Sequence, residues 1–316
     1  MGLMTRLSGA LRPEAGWHRR EAVHMGTAIS AELWADSPAE ARAALDAVMA
    51  EMQRIDHAMS PHRPDSELSR INRDAAERPV PLSPEMARLI DRALHFSALT
   101  DGAFDISFAA AGQLYDYRAG LAPDDAALRE ACRVIGWRGL LRDTRAGTLR
   151  FAEPGMRIDL GGFAKGHAVD RCIALLQTRG IRHAMVAAGG DSRVMGVRDG
   201  RPWTVAIADP RQPGAVVAVL PLLDVSISTS GDYERYFERD GLRHHHLLDP
   251  RTGRSPRAVH SVTLLAPDGL TSEALSKAVF VLGAERGLAL IEAQTDVDAV
   301  IVDAHGQLHH SSGLLG

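Results

Sequence analysis

Between residues 38 and 59, apolar side chains recur at Ala41, Ala44, Leu45, Val48, Met49, Met52, Ile55 and Met59, the three-to-four spacing that lines one face of a helix. Ser37, Pro38 and Glu40 sit at its start and supply an N-cap hydroxyl, a first-turn proline and a capping-box acid. The pattern predicts a helix over 38–59. A second start at Ser83-Pro84-Glu85 leads into Leu89, Ile90, Ala93 and Leu94, and Pro123-Asp124-Asp125 opens a third. Beyond residue 150 the texture changes to short β-like runs at 204–207, 216–222, 261–266 and 298–302, punctuated by turn residues such as Asp209-Pro210 and Pro267-Asp268-Gly269. Helices cluster early and near the end, strands in the middle, without regular alternation. That order predicts an α+β fold with mainly antiparallel sheet over a doubly wound one.

Composition narrows the ligand class. The net charge is -4 with acids and bases interspersed, so no basic stripe invites nucleic acid, and small molecules or proteins are the expected partners. Cys132 and Cys172 are the only cysteines and lack CxxC spacing; they read as buried thiols rather than a disulfide framework or zinc site. No stretch approaches eighteen consecutive apolar residues, so no membrane span is expected. Residues 1–20 break their apolar character at Ser8, Gly9, Arg12 and Pro13 and read as a disordered tail without a signal-peptide core. As written, the sequence reads as cytoplasmic; a misassigned start would make it periplasmic.

The densest candidate chemistry is "RIDLGGFAKGHAVDR", 157–171. It reads as a strand ending on Asp159, a turn through Gly161-Gly162 and a helix with Lys165 near its first turn. Glycines let backbone N–H groups approach a ligand, a helix N-terminus favours anions and Lys165 adds a positive charge, so phosphate is the natural ligand. The spacing matches neither GxxxxGK[ST] nor GxGxxG, and a strand-turn-helix with paired glycines is more often plain connectivity. MSPHRPDSELSRIN (59–72) reads as a capped loop, and a turn accounts for Asp101-Gly102 in TDGAFDIS (100–107). Ser228, Thr229 and Ser230 precede the Gly231-Asp232 turn and offer hydroxyls to phosphate oxygens. In HHHLLDPRTGRSP, 244–256, three adjacent histidines of a strand alternate faces, so His244 and His246 share one side. A lone histidine is commonly structural, yet one beside a polar Asp-Pro-Arg-Thr-Gly turn is also a candidate general base.

Eight blocks, taken together, resemble the FAD:protein FMN transferase (ApbE) family: MGT (25–27), MSPHRPDSELSRIN, GAFD (102–105), IDLGGFAKGHAVD, AAGGD (187–191), STSGDYERYF, HHHLLDPRTG and EALSKA (273–278). They occur in the family's order. The resemblance implies an ApbE-like (T-fold-like) α+β domain over 21–316. Such a domain would bind FAD, cleave its pyrophosphate with magnesium, join FMN to a threonine or serine of an acceptor flavoprotein and release AMP. It further implies that Asp159 and Lys165 contact FAD, as do Met25, His62, Ala103, Phe104 and Asp105, with Thr229 and Ser230 near the phosphates. An aromatic residue is more usual at the position of His62. Of these residues, Lys165 and Asp105 are expected to serve catalysis together with His246, which matches the family's histidine before the Asp-Pro turn and would be the base on the acceptor hydroxyl. An FAD pyrophosphatase and a non-catalytic FAD-binding protein are the alternatives.

One departure bears on the metal. By the same resemblance Gly162, Glu273, Ser276 and the residue at 277 would hold magnesium, but the family's Asp-Ala-Leu-Ser-Thr reads Glu273-Ala274-Leu275-Ser276-Lys277 here. Glutamate keeps a carboxylate. Lys277 has no lone pair to offer a cation. Acid and lysine four apart also form an ordinary helix-surface pair.

Overall fold

The structure, a computed structural model, describes residues 14–315. The chain opens with a hairpin, β1 (Gly16–His24) and β2 (Thr27–Ala35), then runs through α1 (Pro38–Met59), α2 (Glu67–Asp74), β3 (Val80–Pro81), α3 (Pro84–Leu99), α4 (Ala109–Gly112) and α5 (Asp125–Cys132). Next come β4 (Leu140–Asp143), β5 (Thr148–Phe151), α6 (Ala164–Thr178), β6 (Ala184–Ala188), β7 (Asp191–Met195), β8 (Trp203–Ala208) and β9 (Val216–Leu222). Last are β10 (Ser226–Gly231), β11 (Tyr236–Arg239), β12 (Leu242–His245), β13 (Val259–Ala266), α7 (Gly269–Leu282), α8 (Ala284–Glu292), β14 (Asp298–Asp303) and β15 (Leu308–His310).

The helix starts follow their caps. Ser37 Oγ accepts the Glu40 N–H at 3.2 Å, and Glu40 reaches back to the Asp36 N–H at 3.1 Å. Ser83 and Asp124 cap α3 and α5 in the same way.

The main sheet has eight strands in the order β1-β2-β6-β7-β10-β13-β14-β15, each neighbouring pair antiparallel. α1 lies on β1 and β2, α6 on β6 and β7, α7 on β10 and β13, and α8 on β14. Alternation along the strands turns Ile29, Ala31, Leu33, Val186, Val262 and Leu264 toward these helices into the main core. Val194 and Ile227 face the other way, where Trp203 and Leu222 of the β8–β9 hairpin cover them. Among the described residues, no helix is long and apolar enough to cross a membrane.

Three expectations change. Residues 1–13 of the expected tail lie outside the described residues, but 16–20 belong to β1, paired from Gly16 opposite Ala35. The strand expected before Asp159 does not form. Asn72 instead clamps Ile158 with its side-chain amide, accepting the Ile158 N–H at 2.8 Å and donating to the Ile158 carbonyl at 2.9 Å, and the Asp159 N–H goes to the Ile106 carbonyl. A side chain thus replaces the partner strand. Cys172 is buried as expected, while Cys132 is half-buried.

Candidate functional site

The β1–β2 connection is a two-residue turn, Met25-Gly26, with both residues at positive φ (54° and 69°), the form that suits the twist of a hairpin. It packs beside the β6–β7 turn: a Cβ on Gly189 would lie 2.6 Å from Thr27 Oγ1. Asp191, the first residue of β7, points from this end of the sheet toward the helices, as do Ser228 and Ser230 of β10.

Helices α6 and α7 meet over the same sheet end at glycines. A Cβ on Gly166 would sit 2.1 Å from the Gly269 carbonyl oxygen, so the two backbones touch. Each helix then caps the other. Phe163, the N-cap of α6, has no capping side chain; Glu273 of α7 accepts the Gly166 N–H at 2.7 Å instead. Asp170 of α6 accepts the Gly269 N–H at 2.9 Å through both oxygens. Carboxylates suit helix N-termini, where unpaired N–H groups carry partial positive charge.

Lys165 closes the cluster. Its ammonium bonds Glu273 Oε1 at 2.5 Å and pairs with Asp191 Oδ2. Lys277 stands one turn after Glu273 on α7, its ammonium 3.5 Å from the same Oε1. The Lys277 stem runs over Gly162, with Cε, Cγ and Cδ within 3.5–3.9 Å of where a Cβ would be. Burial works against ionising Asp191, but the charges of Lys165 and Lys277 overcome it and hold the carboxyl below its usual range. Burial likewise opposes a charged Lys165, and Asp191 with Glu273 reverses that, raising it above the ordinary lysine value. Asp191 Oδ1 is buried with no partner.

His246 lies just past β12, its backbone N–H on the Arg235 carbonyl at 3.1 Å. Burial first, then the Lys277 and Arg235 charges, push the imidazole down to about 3, and its Nδ1 has no partner. The ring is neutral at pH 7 with its proton-accepting capacity unspent. His244 instead stacks on Phe237 at 5.0 Å, and His245 is buried, with Nε2 2.9 Å from the Pro256 carbonyl.

Other expected residues fall in different surroundings. Asp159, half-buried, accepts the Gly161 N–H at 2.5 Å; burial raises its carboxyl above the usual range, opposed only in part by that N–H and by nearby positive charge. His62 is exposed on the loop after α1. Ala103 and Phe104 are core residues, the Phe104 ring 5.5 Å from that of Phe163. Asp105 is buried and raised by desolvation, and its oxygens are taken by the Ser107 N–H and hydroxyl and the Trp137 N–H. No hydrogen bond or ion pair joins it to the lysine cluster. Thr229 bonds Thr263 at 2.9 Å on the sheet face away from α7, because neighbours in a strand point to opposite faces. Ser230 does face α7, 2.8 Å from Ser276 Oγ.

The expected metal set does not form a magnesium shell. Glu273 spends Oε1 on Lys165 and Oε2 on the Gly166 N–H. Ser276 donates to the Glu273 carbonyl and is engaged by Ser230, and the aliphatic stem of Lys277 covers Gly162. Magnesium needs near-octahedral oxygen ligands. Two ammonium groups beside one free Asp191 oxygen are not that. Among the described residues, no group of three or more His, Cys, Asp or Glu is placed to hold a metal ion.

Fold and cluster define an α+β protein with a lysine-bearing, helix-covered site at one end of an antiparallel sheet. The ApbE family matches residues 25–301, and the chain belongs to it. A Treponema pallidum protein named FAD:protein FMN transferase is 34% identical over 319 residues, covering 94% of this chain and 88% of its own. One of the same name from Vibrio cholerae is 35% identical over 77% of this chain and 74% of its own. The crystal structure of an ApbE protein from Thermotoga maritima superposes with a TM-score of 0.88 at 32% identity, covering 95% of this chain and 98% of that one.

Sequence reasoning assigned no role to Asp191, Asp170, Gly166 or Gly269. Asp191 sits inside the quoted AAGGD block, Asp170 and Gly166 inside IDLGGFAKGHAVD, and Gly269 reads only as a turn residue; none of these signals shows the helix crossing, which joins residues over a hundred positions apart.

Proposed function

We propose that this protein is an FAD:protein FMN transferase. It cleaves the FAD pyrophosphate, attaches FMN through a phosphoester bond to a threonine or serine of an acceptor flavoprotein, and releases AMP. The observation that carries this reading is the pair Lys165 and Lys277 held at one sheet end, beside a neutral His246, in a chain whose relatives bear that name.

Phosphoryl transfer asks a protein mainly for positioning and for cations where charge develops on oxygen. Lys165 keeps a spare N–H beyond its two carboxylate bonds, and Lys277 has more. The acceptor hydroxyl oxygen bonds to the FMN phosphorus as the bond from that phosphorus to the AMP oxygen breaks. AMP leaves with that electron pair. The hydroxyl proton passes to His246, whose basicity rises when the incoming phosphates offset Lys277 and Arg235. Base assistance of this kind contributes about 10²–10⁴-fold. No step is assigned to magnesium, which the donor set does not fit.

Incubation with FAD and the acceptor protein of one of the relatives tests the reading. Mass analysis should find the acceptor heavier by one FMN and an equal amount of AMP. Free FMN and AMP with unmodified acceptor would instead support the pyrophosphatase, and intact FAD the binding protein.

A further inference from the structure

We propose that Lys277 is a resident cation that meets the FAD pyrophosphate where a divalent metal would otherwise sit, so that this chain binds FAD without metal. The proposal rests on the flavin-transferase reading and concerns the same site.

Three observations carry it. The first is position: the Lys277 stem lies over Gly162, and its ammonium sits at the edge of the cluster, with the side chain 17% exposed against 0% for Glu273. The Lys165 side chain is exposed to a similar degree, 20%, so an arriving ligand can reach both cations, and what sets Lys277 apart is its place over Gly162. The second is commitment. Lys165 is tied to two carboxylates at short range, whereas the contact of Lys277 with Glu273 is 3.5 Å, which leaves its donors free for an anion. The third is charge. Lys165 and Lys277 already balance Asp191 and Glu273, and a dication placed beside two ammonium groups is repelled by both.

Pyrophosphate oxygens can take the place of the long Glu273 contact. Lys277 then moves only from one anion to another, and Glu273 keeps its bonds to Lys165 and Gly166. An ammonium fixed on a helix supplies positive charge at all times, independent of metal supply.

The test is FAD binding by fluorescence, with magnesium and with a chelator, combined with electron paramagnetic resonance of added manganese. Wild type should bind FAD equally in both media, within about twofold, and leave manganese free. Lys277→Thr should bind FAD about tenfold more weakly in chelator, recover with magnesium and immobilise manganese. Lys277→Met keeps the stem over Gly162 without the charge; it should lose affinity by a similar factor, with an unchanged melting temperature. Wild-type binding that vanishes in chelator, stoichiometric manganese on wild type with FAD, or undiminished FAD affinity in Lys277→Met each overturns the proposal alone. Absence of FAD binding by wild type in both media overturns it together with the transferase reading.

Discussion

Glu273 accepts the Gly166 N–H at 2.7 Å, so an acid of one helix caps the N-terminus of another. The anion-favouring end of α6 is therefore partly filled by the protein's own carboxylate. Under the proposed function, an anionic ligand would meet the lysines around that carboxylate rather than this amide.

Lys165 is accordingly a structural ion-pair partner as well as the proposed contact for the FAD pyrophosphate. Lys165→Met removes the short-range partner of two buried carboxylates. It should cost about 3–5 kcal/mol of stability, as breaking a buried pair does, and FAD binding should be lost with it. Glu273→Gln keeps an oxygen for the Gly166 N–H and should cost less. Urea unfolding of the two variants checks the order; equal losses would show that charge pairing is not the dominant role.

The glycine crossing sets the distance between Lys165 and Lys277. Gly166→Ala places a methyl where the Gly269 carbonyl lies, and overpacking against backbone costs about 1–3 kcal/mol or more. A lower melting temperature with weakened FAD affinity is expected. Wild-type values for both would mean that the helices separate without disturbing the site.

His246 gives a pH signature. Its folded value of about 3 lies below the ordinary 6.5, so between those values the unfolded chain binds a proton that the folded chain does not. Stability is full above about 6.5 and falls as pH drops toward 3, by at most ~1.4 kcal/mol per unit. His246→Asn should flatten the slope of urea-unfolding free energy over that window. The variant should also keep FAD binding and lose about 10²–10⁴-fold in transfer. Calorimetry near pH 5 in two buffers should show proton uptake on FAD binding to wild type, and none to the variant.

Met25 holds φ 54° in the β1–β2 turn, a region that asparagine tolerates better than methionine. Met25→Asn should keep the turn and change stability by less than about 1 kcal/mol. If the thioether contacts flavin, FAD affinity falls in titration; an unchanged affinity removes Met25 from the site.

Local signals were sufficient wherever the decisive contacts lie within a few residues. The caps at Ser37, Ser83 and Asp124, the apolar stripe of α1 and the strand runs at 216–222 and 298–302 could all be read from the chain, because each cap bonds three positions away and each stripe repeats at the period of its element. The ordered family blocks likewise carried the family. Tertiary structure decided what those blocks face. It turned Thr229 away from α7 and Ser230 toward it, gave Ile158 the Asn72 amide in place of a strand, and spent Asp105 on a loop. It also set Glu273 against Gly166 and Lys165, 107 and 108 positions away. The physical reason is that charge, desolvation and close backbone approach act through space. Whether a carboxylate is a metal ligand, a helix cap or an ion-pair partner depends on which groups the packed helices bring to its oxygens, and no local spacing encodes that.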